Sequence, residues 1–436
     1  MLIFLLLLPL CAAAATAVSL THTEVTVGVT ADFVGLYENT MAIVSKEDPH
    51  GRLMIFEKQD NAWKLALDVK GTAGKSIGAR VSSKPNVGER YVAVHGDVVV
   101  AMRGSDAIVF TRVGGVWSPT PAVLSNTASI EISSGGIVAT NPRDKSVRII
   151  NVDEGVMSRD PIVVRAPEDA GGTWFGGNPS SLSGNTLIVP GDRNVSGTLR
   201  AGSFIFRRNG NGDWVHKQFI QVETRLRFGK RFSISGDTLV NFDMMARVGG
   251  THNPGGIYIY KEGSDGLWAW DGVLRHAAPK AVANSGFGLA AFVSENIIIV
   301  GERKRADSAS YIFRRSADGS WPVVPTRINE GAAFTLPMAL WKDTYVIGGE
   351  VGVLHVYAPR TASGTGTGTG KVGPGTPNQA AKKKEEEEEG PPLIPIIAGV
   401  GGVAVLGLFL AKRQVDKKKK EKGTADTGYY AESGAF

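Results

Sequence analysis

The fold is decided by a segment that runs Phe228-Gly229, then Ile234-Ser235-Gly236-Asp237-Thr238-Leu239-Val240, then Gly256-Ile257-Tyr258-Ile259-Tyr260, and ends at Trp268. The same order of residues returns around residue 175, with Leu182-Ser183-Gly184-Asn185-Thr186 at its centre, and around residue 287, with Val293-Ser294-Glu295-Asn296. Weaker copies lie on both sides of these three. Seven copies fill residues 18–360, with a period of roughly 50 residues.

Each copy contains four short β-rich runs separated by Gly, Asn and Asp, which is typical of a small antiparallel sheet. Seven such sheets around an axis form a β-propeller, in which neighbouring blades cover each other's apolar faces. The sequence therefore predicts an all-β, seven-bladed propeller with tight hairpin turns at Asn211-Gly212, Asp265-Gly266 and Asp318-Gly319. The seventh copy stops near Arg360 without a fourth run, and we expect the spare run at residues 24–29 to complete it.

The repeat resembles the FG-GAP repeat, which builds the seven-bladed propeller of integrin α-chain N-terminal regions. The resemblance covers residues 18–360 and is strongest around residues 175, 228 and 287, whereas the Gly-Ala-Pro half survives only in fragments such as Val300-Gly301. It implies adhesion or ligand binding rather than catalysis. The repeated tryptophan of each copy is expected to be a core residue near the outer strand.

Many FG-GAP repeats hold calcium in a loop between the first two strands, but here that position is a tight turn such as Ser235-Gly236-Asp237. A turn of this length has no room for the several oxygen ligands that calcium takes, so we expect no cofactor and no metal. The weak candidate elsewhere is Asp192, Asn194 and Ser196, where Ser203 replaces the usual bidentate glutamate. Asn194 also begins the one N-glycosylation sequon, and a glycan on a surface loop is the preferred interpretation.

Both ends of the chain carry apolar segments. Residues 1–17 are apolar and end in small residues, which predicts a cleaved signal peptide, with an uncleaved anchor as the alternative. Residues 393–411 contain no charged side chain and are long enough to cross a bilayer as a helix. Lys412, Arg413 and a lysine run follow, which places residues 412–436 in the cytoplasm. The sequence thus predicts a single-pass type I protein of the plasma membrane, with its N-terminus extracellular.

Residues 361–392 are rich in Gly, Thr, Pro and blocks of charge, which predicts a disordered stalk between propeller and membrane. Small residues in the membrane segment, such as Ala398 and Gly402, would allow two helices to pack as a homodimer. The net charge of +6 is spread along the chain and gives no support to a nucleic-acid partner.

Catalytic chemistry has little support in the sequence. The single cysteine, Cys11, lies in the predicted signal peptide, so the mature chain has neither thiol nucleophile nor disulfide. The histidines show no metal-binding spacing, and we expect no catalytic residue and no enzyme activity.

Candidate binding residues lie in long connections between the second and third strands of three adjacent copies, at residues 191–201, 243–254 and 302–309. Equivalent connections share one face of a propeller, and this face is basic. The candidates are Arg193, Arg200, Arg247, His252, Arg303, Lys304 and Arg305. They favour an extracellular protein or glycan partner with acidic groups, with a lipid headgroup as a further alternative.

The leading hypothesis is an adhesion or receptor protein whose extracellular propeller binds a ligand. The first alternative is a luminal structural or quality-control component of the secretory pathway, anchored in the same way. The second alternative is a membrane-tethered hydrolase, for which inward carboxylates would cluster at the central mouth of the propeller.

Overall fold

The structure is a computed structural model of the chain. It describes residues 20–46, 49–78, 91–118, 121–133, 136–153, 156–171, 175–222, 232–243, 255–274, 286–302, 309–322, 324–328, 337–349 and 352–359. The predicted signal peptide, stalk, membrane helix and cytoplasmic tail lie outside these ranges. Among the residues described, no helix has the length and apolar character needed to cross a membrane.

The described residues form strands and turns that assemble into seven sheets of four or five strands, the blades of a propeller, and one separate two-stranded hairpin. Strand β1 is Leu20–Thr26. Blade 1 contains β2 (Phe33–Tyr37), β3 (Thr40–Ser45), β4 (Arg52–Gln59) and β5 (Ala62–Lys70). Blade 2 contains β6 (Val92–His95), β7 (Val98–Arg103), β8 (Asp106–Val113), β9 (Val116–Trp117) and β10 (Ala122–Leu124). Blade 3 contains β11 (Ser129–Ser133), β12 (Gly136–Asn141) and β13 (Ser146–Ile150), with the small hairpin β14 (Val152–Asp153) and β15 (Val156–Met157) before its outer strand β16 (Ile162–Arg165).

The remaining blades follow the same plan. Blade 4 contains β17 (Ala170–Gly171), β18 (Ser181–Ser183), β19 (Thr186–Val195), β20 (Thr198–Arg208) and β21 (Trp214–Gln221). Blade 5 contains β22 (Phe232–Ser235), β23 (Thr238–Asp243), β24 (Gly256–Glu262) and β25 (Trp268–Leu274). Blade 6 contains β26 (Ala290–Ser294), β27 (Ile297–Glu302), β28 (Ala309–Arg314) and β29 (Thr326–Ile328). Blade 7 contains β30 (Met338–Trp341), β31 (Thr344–Gly348) and β32 (Val353–Pro359). The predicted all-β, seven-bladed propeller is confirmed for the described residues.

The ring closes through the two ends of the propeller chain. Blade 7 has the strand order β1-β32-β31-β30, so the N-terminal strand supplies its outermost member. The pairing is antiparallel and runs from Leu20 opposite Pro359 to Thr26 opposite Val353. The expected completion of the seventh blade is therefore confirmed, although the pairing strand begins a few residues before the predicted run.

The core consists of seven apolar clusters, one between each pair of adjacent blades. Between blades 5 and 6, for example, Val240 and Ile257 pack with Ile298 and Phe313, and all four are fully buried. The second strand of each blade is apolar on both faces because a blade lies on either side of it. Burial between blades, rather than within one blade, holds the fold together.

The turn after the third strand was predicted correctly in three blades. Gly212, Gly266 and Gly319 have φ values of 89°, 74° and 82°, in the left-handed region that favours glycine. In each turn the glycine N–H donates to the carbonyl three residues earlier, at 2.9–3.0 Å. These are three-residue hairpin loops with glycine in the left-handed position.

The expected loop at residues 191–201 is instead a regular β-hairpin. Strands β19 and β20 continue across this stretch and pair from Thr186 opposite Arg207 to Val195 opposite Thr198. The turn residues Ser196 and Gly197 both have positive φ, 49° and 80°, which is the geometry of a two-residue turn that matches strand twist. The Ser-Gly pair therefore extends the sheet where the sequence suggested an irregular connection.

The repeated tryptophans differ in burial. Trp117 and Trp268 are core residues with 5% and 3% of their surface exposed. Trp63, Trp214 and Trp321 pack only partly against the cores between blades. The expectation of a buried core tryptophan is thus confirmed for two of these five and too strong for the other three.

The difference in burial between tryptophans predicts a difference in how much each one stabilises the fold. Trp268→Ala should lower the free energy of unfolding by about 3–5 kcal/mol, because a large side chain leaves a cavity between blades 4 and 5. Trp270, two residues further along β25, is 65% exposed, and Trp270→Ala should change stability by less than about 1 kcal/mol. Denaturant unfolding of both variants measures this difference, and equal losses would contradict the described packing.

Candidate functional site

The inner strands of the seven blades enclose a central channel. Its cavity volume is about 390 Å³, and residues of all seven inner strands line it. A volume in this range accommodates a small ligand or one residue of a larger one. The channel is therefore the first place to look for binding.

One mouth of the channel is formed by the last residue of each inner strand, which is structurally equivalent in every blade. These seven mouth residues are Tyr37, His95, Ser133, Ser183, Ser235, Ser294 and Trp341. The residue after the mouth residue turns the chain into the second strand, and in six blades it has a φ of 48–55°. The repeated turn thus presents seven side chains at the same level around one opening.

Three of the serines each form a hydrogen bond from their own blade to the next one. Ser183 Oγ accepts the backbone N–H of Gly236 at 3.2 Å, and Ser235 Oγ accepts that of Glu295 at 2.9 Å. Ser294 Oγ accepts the N–H of Lys342 at 2.9 Å. A serine hydroxyl that accepts one bond still has its own hydrogen to donate. These hydroxyls can therefore hold the blades together and also offer O–H donors to a ligand in the channel.

The other side of the mouth is aromatic, because Trp341, Tyr37 and His95 stand on the consecutive blades 7, 1 and 2. The Tyr37 ring lies between its two neighbours, with centroids 4.0 Å from Trp341 and 4.1 Å from His95. His95 and Trp341 are 6.3 Å apart and nearly perpendicular, at 85°. We call these three residues the aromatic arc and the serines of blades 3 to 6 the serine arc.

The aromatic arc carries no charge of its own at physiological pH. Burial lowers the pKa of the His95 imidazole, which keeps the ring neutral. Burial also raises the pKa of the Tyr37 phenol, and the nearby Glu38 carboxylate raises it further. The Nζ of the exposed Lys342 lies 5.3 Å from the Trp341 ring centroid, and the Nζ of Lys46 lies over the channel-lining rings of Phe33 and Tyr91, at 4.6 Å and 5.0 Å. The site therefore suits a polar but uncharged group with an apolar face.

Acidic groups are sparse in the channel. Among the described residues that line it, the carboxyl side chains are Asp32 on blade 1 and Glu131 on blade 3. Asp32 already accepts the backbone N–H of Lys46 at 2.6 Å. The described lining thus lacks the cluster of inward carboxylates that the hydrolase alternative would need at the mouth.

The basic candidates predicted from the sequence divide into two groups. Arg193 and Arg200 face each other across the β19–β20 hairpin. Arg193 donates to Asp169 at 2.6 Å and stacks over Phe219 at 5.8 Å, which gives it a structural role, while Arg200 is exposed. Arg247, His252, Arg303, Lys304 and Arg305 lie outside the described residues, so the basic face stays a prediction.

The sequon and the calcium candidate lie on the same hairpin. Asn194 is exposed on β19, one residue from the turn, and is accessible to modification. Asp192 is a buried strand residue opposite Ala201, and Ser196 belongs to the turn. Asp192, Asn194 and Ser196 therefore lie along an extended hairpin rather than around a loop.

Sequence reasoning recognised the turns of the mouth but missed the site. The signal was the position before each turn, which holds Leu-Ser, Ile-Ser or Val-Ser in blades 3 to 6 and Leu340-Trp341, Leu36-Tyr37 and Val94-His95 in the other three blades. Only the closed ring shows that these positions meet at one opening.

Comparisons with known proteins find only solved structures of low sequence identity and low structural similarity to this chain. No protein-family model matches the sequence, and no curated protein matches it. A protein from Lactobacillus plantarum is 12% identical, covers 69% of this chain and 86% of its own, and has a TM-score of 0.42. The β-propeller domain of the Trilobed protease from Pyrococcus furiosus, described as having an open velcro topology, is 11% identical over 76% of this chain and 94% of its own, with a TM-score of 0.45. A functionally unknown protein from Desulfotomaculum acetoxidans DSM 771 is 12% identical over 68% and 86%, with a TM-score of 0.42. Similarities at this level say nothing about ligand or activity.

The half-buried imidazole of His95 predicts a pH dependence of stability. The pKa of His95 is lower in the folded chain than the usual value of about 6.5, so the unfolded chain binds more protons as the pH falls through that value. This group therefore stabilises the fold above about pH 6.5 and loses that contribution as the pH falls toward its folded pKa. We expect the unfolding free energy of His95→Gln to fall less steeply than that of the unchanged protein between about pH 7 and pH 5. Parallel urea titrations at several pH values measure the two slopes, and identical slopes would contradict a depressed pKa.

Proposed function

We propose that this chain is a membrane-anchored, extracellular binding protein whose propeller holds a neutral sugar unit of a glycan at the mouth of its central channel. The observation that carries the proposal is the division of that mouth into the aromatic arc and the serine arc around a cavity of about 390 Å³. A sugar ring has apolar C–H faces and a rim of hydroxyl groups. It therefore complements an opening that is aromatic on one side and hydroxylated on the other.

The absence of charge on the aromatic arc also favours a neutral, hydroxyl-rich ligand. His95 is neutral because burial lowers its pKa, and Tyr37 is neutral because burial raises its pKa. The O–H groups of Ser183, Ser235 and Ser294 remain available within the described part of the chain, since each oxygen acts as an acceptor toward the next blade. Uncharged donors and ring faces bind hydroxyl-rich ligands without the desolvation cost of a buried ion.

The anchoring half of the proposal rests on the sequence. Residues 393–411 are apolar and uncharged, and Lys412 and Arg413 follow directly, which favours a membrane helix with a cytoplasmic tail. The resemblance to FG-GAP repeats favours a binding role in adhesion or reception. The luminal alternative shares the same topology and differs in the membrane in which the protein resides.

Binding should depend on the aromatic arc. With a panel of neutral oligosaccharides as probes, we expect the purified full chain to bind at least one, and Trp341→Ala to weaken that binding by about tenfold or more. Trp270→Ala is the matched control, because this tryptophan is 65% exposed on the outer strand of blade 5. Binding is followed by calorimetry. Unchanged affinity in Trp341→Ala would contradict the site, as would failure of every oligosaccharide to bind.

Cell location separates the leading hypothesis from the luminal alternative. An antibody to the propeller should label intact, unpermeabilised cells, and proteolysis within residues 361–392 should release the labelled domain. A variant cut short after residue 392 should appear in the medium and serves as the control for anchoring. Labelling that requires permeabilisation would contradict the surface location and favour the luminal alternative.

A further inference from the structure

The seam that closes the ring brings together two histidines and a glutamate from opposite ends of the propeller. Across the β1–β32 pairing, Glu24 lies opposite His355 and His22 lies opposite Tyr357. Since side chains two residues apart share one face of a strand, His22 and Glu24 project on the same side of β1 and flank His355. No spacing in the sequence reveals this set, because His22 and His355 are 333 residues apart.

The side-chain atoms already approach the arrangement of metal ligands. His22 Nε2 and His355 Nδ1 share a hydrogen bond of 2.8 Å, which a bound ion would replace, and His355 Nδ1 lies 3.9 Å from Glu24 Oε1. One ligand atom from each residue falls within 4.8 Å of the other two. His355 is 7% exposed, whereas His22 and Glu24 are exposed, so an ion can approach from solvent onto a fixed inner ligand.

We propose that His22, Glu24 and His355 form a zinc site that fastens the two ends of the propeller together. Two imidazole nitrogens and one carboxylate oxygen are a donor set that Zn²⁺ takes readily, whereas Mg²⁺ and Ca²⁺ prefer oxygen ligands. With bonds of about 2.0–2.2 Å in a tetrahedral site, ligand atoms stand roughly 3.3 Å apart. The exposed His22 ring therefore has to move about 0.5 Å away from His355, and the exposed Glu24 carboxylate about 0.6 Å toward it, while the buried His355 stays in place.

Neighbouring rings hold the ligands in orientation. The His22 ring stacks on His355 at 5.1 Å and on Tyr357 at 4.9 Å, with interplanar angles of 18° and 16°. Tyr357 in turn stacks on Tyr345 at 4.8 Å. A stack of this kind limits ring rotation, and supports around the first ligands of a metal strengthen its binding.

The position of the site explains what zinc would contribute. A bond through zinc between residues 22 and 355 closes a loop that contains almost the whole propeller, and links across long loops restrict the unfolded chain most in principle. The single cysteine, Cys11, cannot supply a disulfide across this seam. Zinc would add a coordinate link between β1 and β32 to the hydrogen bonds and packing that already join them.

The test measures zinc binding and thermal unfolding on the purified, chelator-treated full chain at neutral pH. We expect calorimetry to show one Zn²⁺ bound at the seam. We also expect the unfolding temperature to rise by about 4 °C with free zinc at about 100 times its dissociation constant. Mg²⁺ at the same concentration should leave the unfolding temperature unchanged.

Three substitutions make the test specific. Glu24→Gln removes an exposed ligand without threatening the core, and it should weaken zinc binding by about tenfold or more; His22→Gln should abolish the zinc-dependent shift. His216→Gln removes a histidine from blade 4 and should keep the full shift, whatever its effect on basal stability. The proposal is overturned if the unchanged protein shows no zinc-dependent shift, if Mg²⁺ reproduces it, or if Glu24→Gln and His22→Gln retain it.

Discussion

The pairing of β1 with β32 is the interaction on which the rest of the structure depends. Blades 1 to 6 each form from a continuous stretch of chain, whereas blade 7 is complete only when the N-terminal strand joins the C-terminal one. Val25 and Val27 from the start of the chain then pack in the core between blades 7 and 1. Without this strand that core would lose one of its walls, and the ring could open at this point.

The candidate ligand site also depends on closure of the ring by β1 and β32. The aromatic arc spans the seam, since Trp341 belongs to blade 7 whereas Tyr37 and His95 belong to blades 1 and 2. The 4.0 Å contact between the Trp341 and Tyr37 rings therefore exists only in a closed ring. Closure, the channel and the binding surface are coupled in this way, and a change that loosens β1 should affect all three.

The repeat predicted the architecture well because blades bury surface against each other and so require the same pattern seven times. Local sequence patterns were enough to predict the turn glycines at 212, 266 and 319 and the N-terminal strand that closes the ring. The hairpin at residues 191–201 was not, because Ser196-Gly197 suits a loop or a tight turn equally and only strand pairing decides between them. The aromatic arc and the His22–Glu24–His355 set were also hidden, since their members meet through ring closure rather than through spacing in the sequence.

The distribution of residues around the mouth supports the proposal that the aromatic arc holds a ligand. At the equivalent positions Ser183, Ser235 and Ser294 each fasten a blade to its neighbour with one hydrogen bond, a contribution of about 0.5–1.5 kcal/mol. The aromatic arc also stabilises the ring, since its ring contacts contribute about 0.5–1.5 kcal/mol beyond the area they bury, and Trp341 and Tyr37 pack against the cores between blades. Rings at this level can touch only when they occupy consecutive blades, and all three do. In the proposed function, this departure from the repeat places a continuous aromatic surface beside the cavity, opposite the hydroxyl groups of the serine arc.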